Sequence, residues 1–159
     1  MNNFSDDFCC FLYDALQAEY FVCEEIVLWA DSLILQCEAP KAWLICLSLI
    51  KIKEGRYSLF DEENGNLAEE LQKSCCWQKH KNCFKGFLFA KYIEGRVSRN
   101  DLLDFYIDVT TNEDVLWEDL QPEMEVQYLS ALEFLNFLRR DDVYAVAPWI
   151  FDYKSNCMM

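Results

Sequence analysis

Apolar residues return at helical spacing along most of the chain. Phe8, Phe11, Leu12, Ala15 and Leu16 fall at i, i+3, i+4, i+7 and i+8, one face of a helix, with Ser5 as the expected N-cap and Asp6 and Asp7 in the first turn. Val22, Ile26, Trp29, Ala30, Leu33 and Cys37 make a second stripe. With no Gly or Pro between the stripes, they read either as one bent helix or as a tight pair. Pro40 opens and Gly55 closes a third helix over 40–53, apolar nearly all round and therefore expected to be central. Asn64-Gly65 signals a turn, which leaves a short strand pair open there. A short helix is expected over 67–74 and a longer one over 76–94, ending at Gly95. Ser98 caps 99–109 with Asp101 three residues on; Thr111 or Asn112 caps 113–120. Pro122 starts 122–139, with Met124, Tyr128, Ala131, Leu132 and Leu135 as its inner stripe. The apolar tail VYAVAPWIFDY is expected to pack back onto the body. The fold class implied is all-α: one domain over 1–159, of six or seven helices in irregular antiparallel hairpins.

One internal echo stands out. EGRYSLFD (54–61) and EGRVSRND (94–101) share Glu-Gly-Arg-x-Ser and end in Asp, forty positions apart. Both read as a helix stop, an apolar plug and a Ser cap. Two copies are too few for a repeat array.

The stretch CCWQKHKNC (75–83) holds three of the nine cysteines and the one histidine. On a helix, Cys76, His80 and Cys83 share a face with Phe84 and Phe87, within about one third of the circumference. Zinc takes Cys and His, but a structural site wants four ligands, and no second Cys or His pair stands nearby. A catalytic thiol needs an accessible electropositive niche and an oriented base. Core packing is therefore the preferred reading, and a small metal- or thiol-dependent enzyme centred on these three residues is the third-ranked function. No P-loop, GxGxxG, GxSxG, HExxH or EF-hand loop is present. The expectation is no enzyme, no catalytic or metal residues and no cofactor.

Apolar runs such as LICLSLI (44–50) are shorter than the roughly 20 residues a membrane helix needs. The acidic N-terminus lacks the basic start of a signal peptide, and the odd cysteine count does not suggest a disulfide framework. Reduced thiols in a cytoplasmic protein are expected.

Charge changes the picture most. The net charge is −14, which repels nucleic acid and anionic membranes and attracts basic proteins. It is also segregated. Residues 1–40 carry eight acids and no Lys or Arg; residues 73–99 carry seven bases and one acid; residues 100–138 carry ten acids and no base. Such blocks imply either internal pairing or a face built for a basic partner. Asp101, Asp104 and Asp108 line one helical face, and Glu113, Asp114, Glu118 and Asp119 crowd the next segment with Trp117 between them. Acids beside an aromatic would suit a Lys- or Arg-rich protein, the charges steering and the ring anchoring.

The stretch AKYIEGRVSRNDLLDFYID (90–108) resembles small helical bacterial immunity proteins of the colicin type, particularly those that neutralise tRNA-cutting toxins. The resemblance covers about 20 residues, those from Ala90 to Asp108, and includes Asp101, Asp104 and Asp108. It implies an acidic surface that plugs the cationic groove of a toxin or nuclease domain without a cofactor. The alternative is a helical scaffold or adaptor whose acidic blocks pair with residues 73–99. The two differ in what salt should weaken: a complex in the first case, the isolated fold in the second.

Overall fold

The computed structural model describes residues 4–110 and 113–146. Among them the chain is all-α: α1 (Phe8–Gln17), α2 (Cys23–Ile34), α3 (Ala42–Ser48), α4 (Gly65–Lys73), α5 (Phe84–Ile93), α6 (Arg99–Val109), α7 (Trp117–Leu138) and the single turn α8 (Val143–Val146). A 3-10 turn at Glu62–Asn64 precedes α4, and no strand occurs among these residues. The remainder of the apolar tail and the Thr111 or Asn112 cap lie outside the described residues.

The two N-terminal stripes are separate helices. Ser5 falls in a turn before α1, and Asp7 precedes Phe8 without a side-chain capping bond. Helix α1 stops because Glu19 takes φ 51, the left-handed conformation usually given to Gly. The amides of Glu19 and Tyr20 then bond back to the carbonyls of Leu16 and Ala15, the paired closure of a Schellman motif. No breaker marks this stop because a charged residue occupies the left-handed position.

Three further boundaries correct the sequence reading. Helix α3 ends at Ser48 rather than near 53; Ile50-Lys51-Ile52-Lys53 alternates apolar and polar with β-branched residues and is not helical. Glu54 (φ 54) and Gly55 (φ 76) form a two-residue turn, with Lys53 and Arg56 exchanging both backbone hydrogen bonds across it. Gly55 is thus a hairpin glycine, not a helix stop. The expected 76–94 helix shrinks to α5, which begins just after Asn82, whose Oδ1 accepts the Phe84 amide at 2.9 Å. Finally, 113–120 and 122–139 do not form two helices. Helix α7 runs from Trp117 through Pro122, whose exposed ring forgoes one hydrogen bond without breaking the helix.

Asn64 is not an exposed turn residue either. Its buried side chain accepts the Lys51 amide at 2.8 Å and donates to the Ser58 carbonyl at 2.8 Å, tying the irregular 49–61 segment to the start of α4. The end of α5 and the start of α6 are as expected. Gly95 (φ 74) closes α5, and Ser98 Oγ accepts the Asp101 amide at 3.1 Å.

Helices α5 and α7 make the most extensive helix–helix contact; α1 packs on α4 and α5, and α2 on α3. One buried cluster joins them all, from Phe4 to Val143. At its centre Phe11 and Phe134 stack with centroids 5.2 Å apart, and Phe87 meets Phe134 edge-on at 6.1 Å. Of the expected α7 stripe, Met124, Ala131 and Leu135 are buried, while Tyr128 and Leu132 are half-buried and Phe134 replaces them in the core.

Helix α5 crosses α7 where α5 has no side chain. A Cβ added at Gly86 would stand 2.4 Å from the Gln127 carbonyl oxygen. The same oxygen accepts the Cys83 thiol at 3.2 Å, and the Gln127 side chain accepts the Gly86 amide at 3.2 Å. This crossing sets the position of α5, and through it that of the basic residues α5 carries.

Candidate functional site

The 75–83 segment is not helical, so Cys76, His80 and Cys83 do not share a helical face. Long-range contacts hold it instead. The Cys76 amide bonds the Asp6 carbonyl, and Lys79 pairs with the Asp6 carboxylate at 3.1 Å. His80 is buried, with its side chain 2% exposed, and its Nε2 lies 2.6 Å from Oδ2 of Asp14, itself only 1% exposed. That same carboxylate oxygen accepts the Cys83 amide at 2.9 Å. The other imidazole nitrogen, Nδ1, has no hydrogen-bond partner and stands 3.9 Å from Asp7. Phe11 meets the imidazole edge-on at 4.8 Å. Burial, then the charge of Asp14, pushes the Cys83 thiol up to about 12. A thiol held that far above neutral is a core group rather than a nucleophile. Among the described residues, no three His, Cys, Asp or Glu side chains are placed to hold a metal ion.

A disulfide joins Cys10 in α1 to Cys75 just beyond α4, with Cα atoms 5.3 Å apart. It corrects the expectation that the thiols are all reduced. The packing of α1 on α4 brings two distant cysteines within bonding range. Cys9, Cys23, Cys46, Cys76 and Cys83 are free thiols.

The expected partner-binding residues divide into three groups. Asp101, Asp104 and Asp108 are exposed on α6, and none is in an ion pair among the described residues. Glu113 and Asp114 are exposed ahead of α7, and Glu118 and Asp119 are exposed in its first turn, where carboxylates favour the helix dipole. Trp117 departs from the expectation. It is 6% exposed, its ring lies under the Arg99 guanidinium at 4.8 Å and beside Tyr92, and its Nε1 donates to Gln121. It anchors the start of α7 to the core and is closed to a partner. Leu116, 65% exposed, is the apolar residue that stands open there instead.

Beside the acidic face of α6 is a cleft of about 540 Å³. Asp101, Leu102, Phe105 and Asp108 form its α6 wall; Leu88 and Lys91 come from α5. The remaining walls come from residues 19–23, 55–57 and 96–97. The two echoed corners therefore meet here. Arg56 grips Glu19 through both carboxylate oxygens, at 2.9 and 3.1 Å from Nη2. Arg96 donates to the Tyr20 carbonyl at 2.5 Å, and its guanidinium lies 4.8 Å from the Tyr20 ring centre. Lys91 donates to the Ala18 carbonyl at 3.3 Å and stands 5.4 Å from the Phe105 ring centre. Burial, then the Arg96 charge, holds the Lys91 ammonium below its ordinary range; Glu19 opposes this and Arg56 adds to it. Sequence patterning does not find this cleft, because its charges come from four separate segments.

No helix of the described residues is long and apolar enough to cross a membrane. Compared with known proteins, the chain matches no family model, no curated protein and no solved structure.

Proposed function

We propose that the chain is a non-enzymatic binding protein that inhibits a basic protein, in the manner of an immunity protein occluding the cationic groove of a toxin or nuclease domain. The observation that carries this reading is the contrast among the carboxylates. Asp6 pairs with Lys79 and Glu123 with Lys85 on the protein's own surface, whereas Asp101, Asp104 and Asp108 are exposed and in no ion pair among the described residues. Unneutralised charge on one face raises the rate of encounter with a basic partner, and Leu116 adds apolar area beside it. The resemblance of residues 90–108 to immunity proteins points the same way. Cytoplasmic location is part of the proposal, supported by free thiols among the described residues such as Cys9, Cys76 and Cys83; the Cys10–Cys75 bridge is the feature that weighs against it.

The experiment is capture from the source lysate at low salt with elution in a salt gradient, followed by an activity assay of any stoichiometric basic protein released. The expected result is one such protein, inhibited by the wild type and not by Asp104→Lys or Asp108→Lys. Inhibition undiminished by both reversals means the α6 face is the wrong one.

A scaffold is the second reading, favoured by the Lys79–Asp6 and Lys85–Glu123 pairs that tie the basic block to both acidic blocks. Under it, salt would lower the stability of the isolated protein, and no activity of a captured partner would be blocked.

A further inference from the structure

We propose that the cleft beside α6 binds a small organic anion, a carboxylate or a phosphate ester, with its charged group on Lys91 and Arg96 and its apolar body against Phe21, Val97 and Phe105. Three of the fourteen Lys and Arg residues of a strongly acidic chain converge on one cavity. Among the described residues, Arg56 alone of the three is in an ion pair, with Glu19. Lys91 and Arg96 bond backbone carbonyls, which accept hydrogen bonds without cancelling charge. An ammonium has three donors and a guanidinium five, so each cation keeps donors beyond its single carbonyl contact. Two cations with spare donors, brought together against their mutual repulsion, match the oxygens of a carboxylate or phosphate.

The surroundings fit an organic ligand rather than a bare ion. The volume, about 540 Å³, falls within the range of roughly 300–1,000 Å³ usual for small-molecule pockets. Val22 and Cys23, the N-cap and first residue of α2, also line the cleft, and no side chain caps that helix end. Glu24 and Glu25 in the first turn of α2 already answer its positive end, so the attraction for an anion comes from Lys91 and Arg96. Asp101 and Asp108 also line the cleft and oppose an anion near α6, so the charged group is expected on Lys91 and Arg96 rather than along that wall. The site shares Asp101 and Asp108 with the face of the inhibitor reading; Asp104, which does not line the cleft, is the residue that tests that reading alone.

The test titrates the full chain with phenyl phosphate, benzoate, inorganic phosphate and benzylamine while following amide chemical shifts by NMR. Saturable shifts at Lys91, Val97 and Phe105 are expected with phenyl phosphate or benzoate, and the tighter of the two names the charged group. Lys91→Met and Arg96→Gln should each weaken binding about tenfold or more, while Lys81→Gln, an exposed cation outside the cleft, leaves it unchanged. The amide spectrum of each variant reports whether it folds; if Lys91→Met does not, Arg96→Gln carries the comparison. Three results would overturn the proposal: no saturation with millimolar phenyl phosphate and benzoate, affinity unchanged in the folded variants, or benzylamine binding as tightly as the anions. Inorganic phosphate binding as tightly as phenyl phosphate would overturn the organic part of it.

Discussion

Gly86→Ala tests the α5–α7 crossing that places Lys91. An added Cβ would lie 2.4 Å from the Gln127 carbonyl oxygen, 2.7 Å from its carbonyl carbon and 3.0 Å from its Cβ. Carbon and oxygen in weak contact sit about 3.3–3.6 Å apart, so the helices must separate locally by roughly 1 Å. The obstacle is backbone in the middle of α7, which cannot swing aside as a side chain would. Separation also stretches the Cys83 thiol and Gly86 amide hydrogen bonds to Gln127. Overpacking of this kind costs about 1–3 kcal/mol, and two weakened hydrogen bonds add about 1 kcal/mol each. Against this, Ala gains about 1 kcal/mol over Gly in a helix interior. The net expectation is a loss of about 2–4 kcal/mol, which for a chain of this size lowers Tm by roughly 4–16 °C. Urea unfolding followed by circular dichroism measures it. Gly65→Ala is the control, since nothing lies within 4 Å of its added Cβ and its φ of −58 suits Ala. That change should stabilise by about 0.4–1 kcal/mol. If Gly86→Ala matches or exceeds wild-type stability, the close crossing is not a constraint and the reasoning fails.

Other perturbations read other parts of the fold. Asp14→Ala leaves His80 Nε2 and the Cys83 amide buried without their acceptor, and should cost about 3–5 kcal/mol by urea unfolding; a loss under about 1 kcal/mol would show that the latch does not hold the 75–83 segment. Reduction of Cys10–Cys75, which spans 65 residues, should lower stability by about 2–4 kcal/mol, and Cys10→Ala/Cys75→Ala should lose its sensitivity to reductant. Burial raises the Cys9 and Cys83 thiols from 9.0 to about 12, so the folded state holds these protons more tightly than the unfolded chain. Their contribution is complete below pH 9.0 and is lost as pH rises towards about 12, each thiol removing about 1.4 kcal/mol per pH unit within that window. Unfolding measured across alkaline pH should show a shallower fall in Cys9→Ala/Cys83→Ala, and an unchanged slope would remove the thiols as its cause.

Boundaries set by local chemistry are legible in the sequence, and those set by distant contacts are not. Gly95 and Ser98 mark the α5–α6 corner because a left-handed glycine and a hydroxyl cap act within a few residues. The α1–α2 break is hidden because Glu19 adopts the glycine-like conformation while Arg56, thirty-seven positions away, holds its carboxylate. The 75–83 segment has good helical periodicity, yet contacts to Asp6 and Asp14 hold it in irregular structure; the wheel is wrong about the helix but right that His80, Cys83, Phe84 and Phe87 point inward and Lys79 and Lys81 outward. Asn82 was the local sign of where α5 begins. At the acidic site, exposure of Asp101, Asp104 and Asp108 follows from the pattern of α6. The burial of Trp117 does not, because Arg99 and Tyr92 cover it from elsewhere in the chain.

The echoed corners show how alike sequences can do the same work through different backbones. Around Gly55 the chain makes a two-residue hairpin; around Gly95 it closes a helix, with the Gly95 amide on Tyr92 and the Arg96 amide on Lys91. Each glycine takes a positive φ and is followed by an arginine aimed at the α1–α2 connection. Arg56 reaches the Glu19 carboxylate and Arg96 the Tyr20 carbonyl, one residue apart. Tyr57 adds a third tie, its hydroxyl accepting the Phe21 amide at 3.1 Å. The connection therefore carries a left-handed Glu19 because three contacts from two corners hold it there, offsetting a conformation that costs about 1–2 kcal/mol outside glycine. Those contacts also fix the geometry of the cleft, since Arg56, Arg96 and the 19–23 backbone are its walls. Stability of the connection and the Arg56 and Arg96 charges of the cavity therefore come from the same residues.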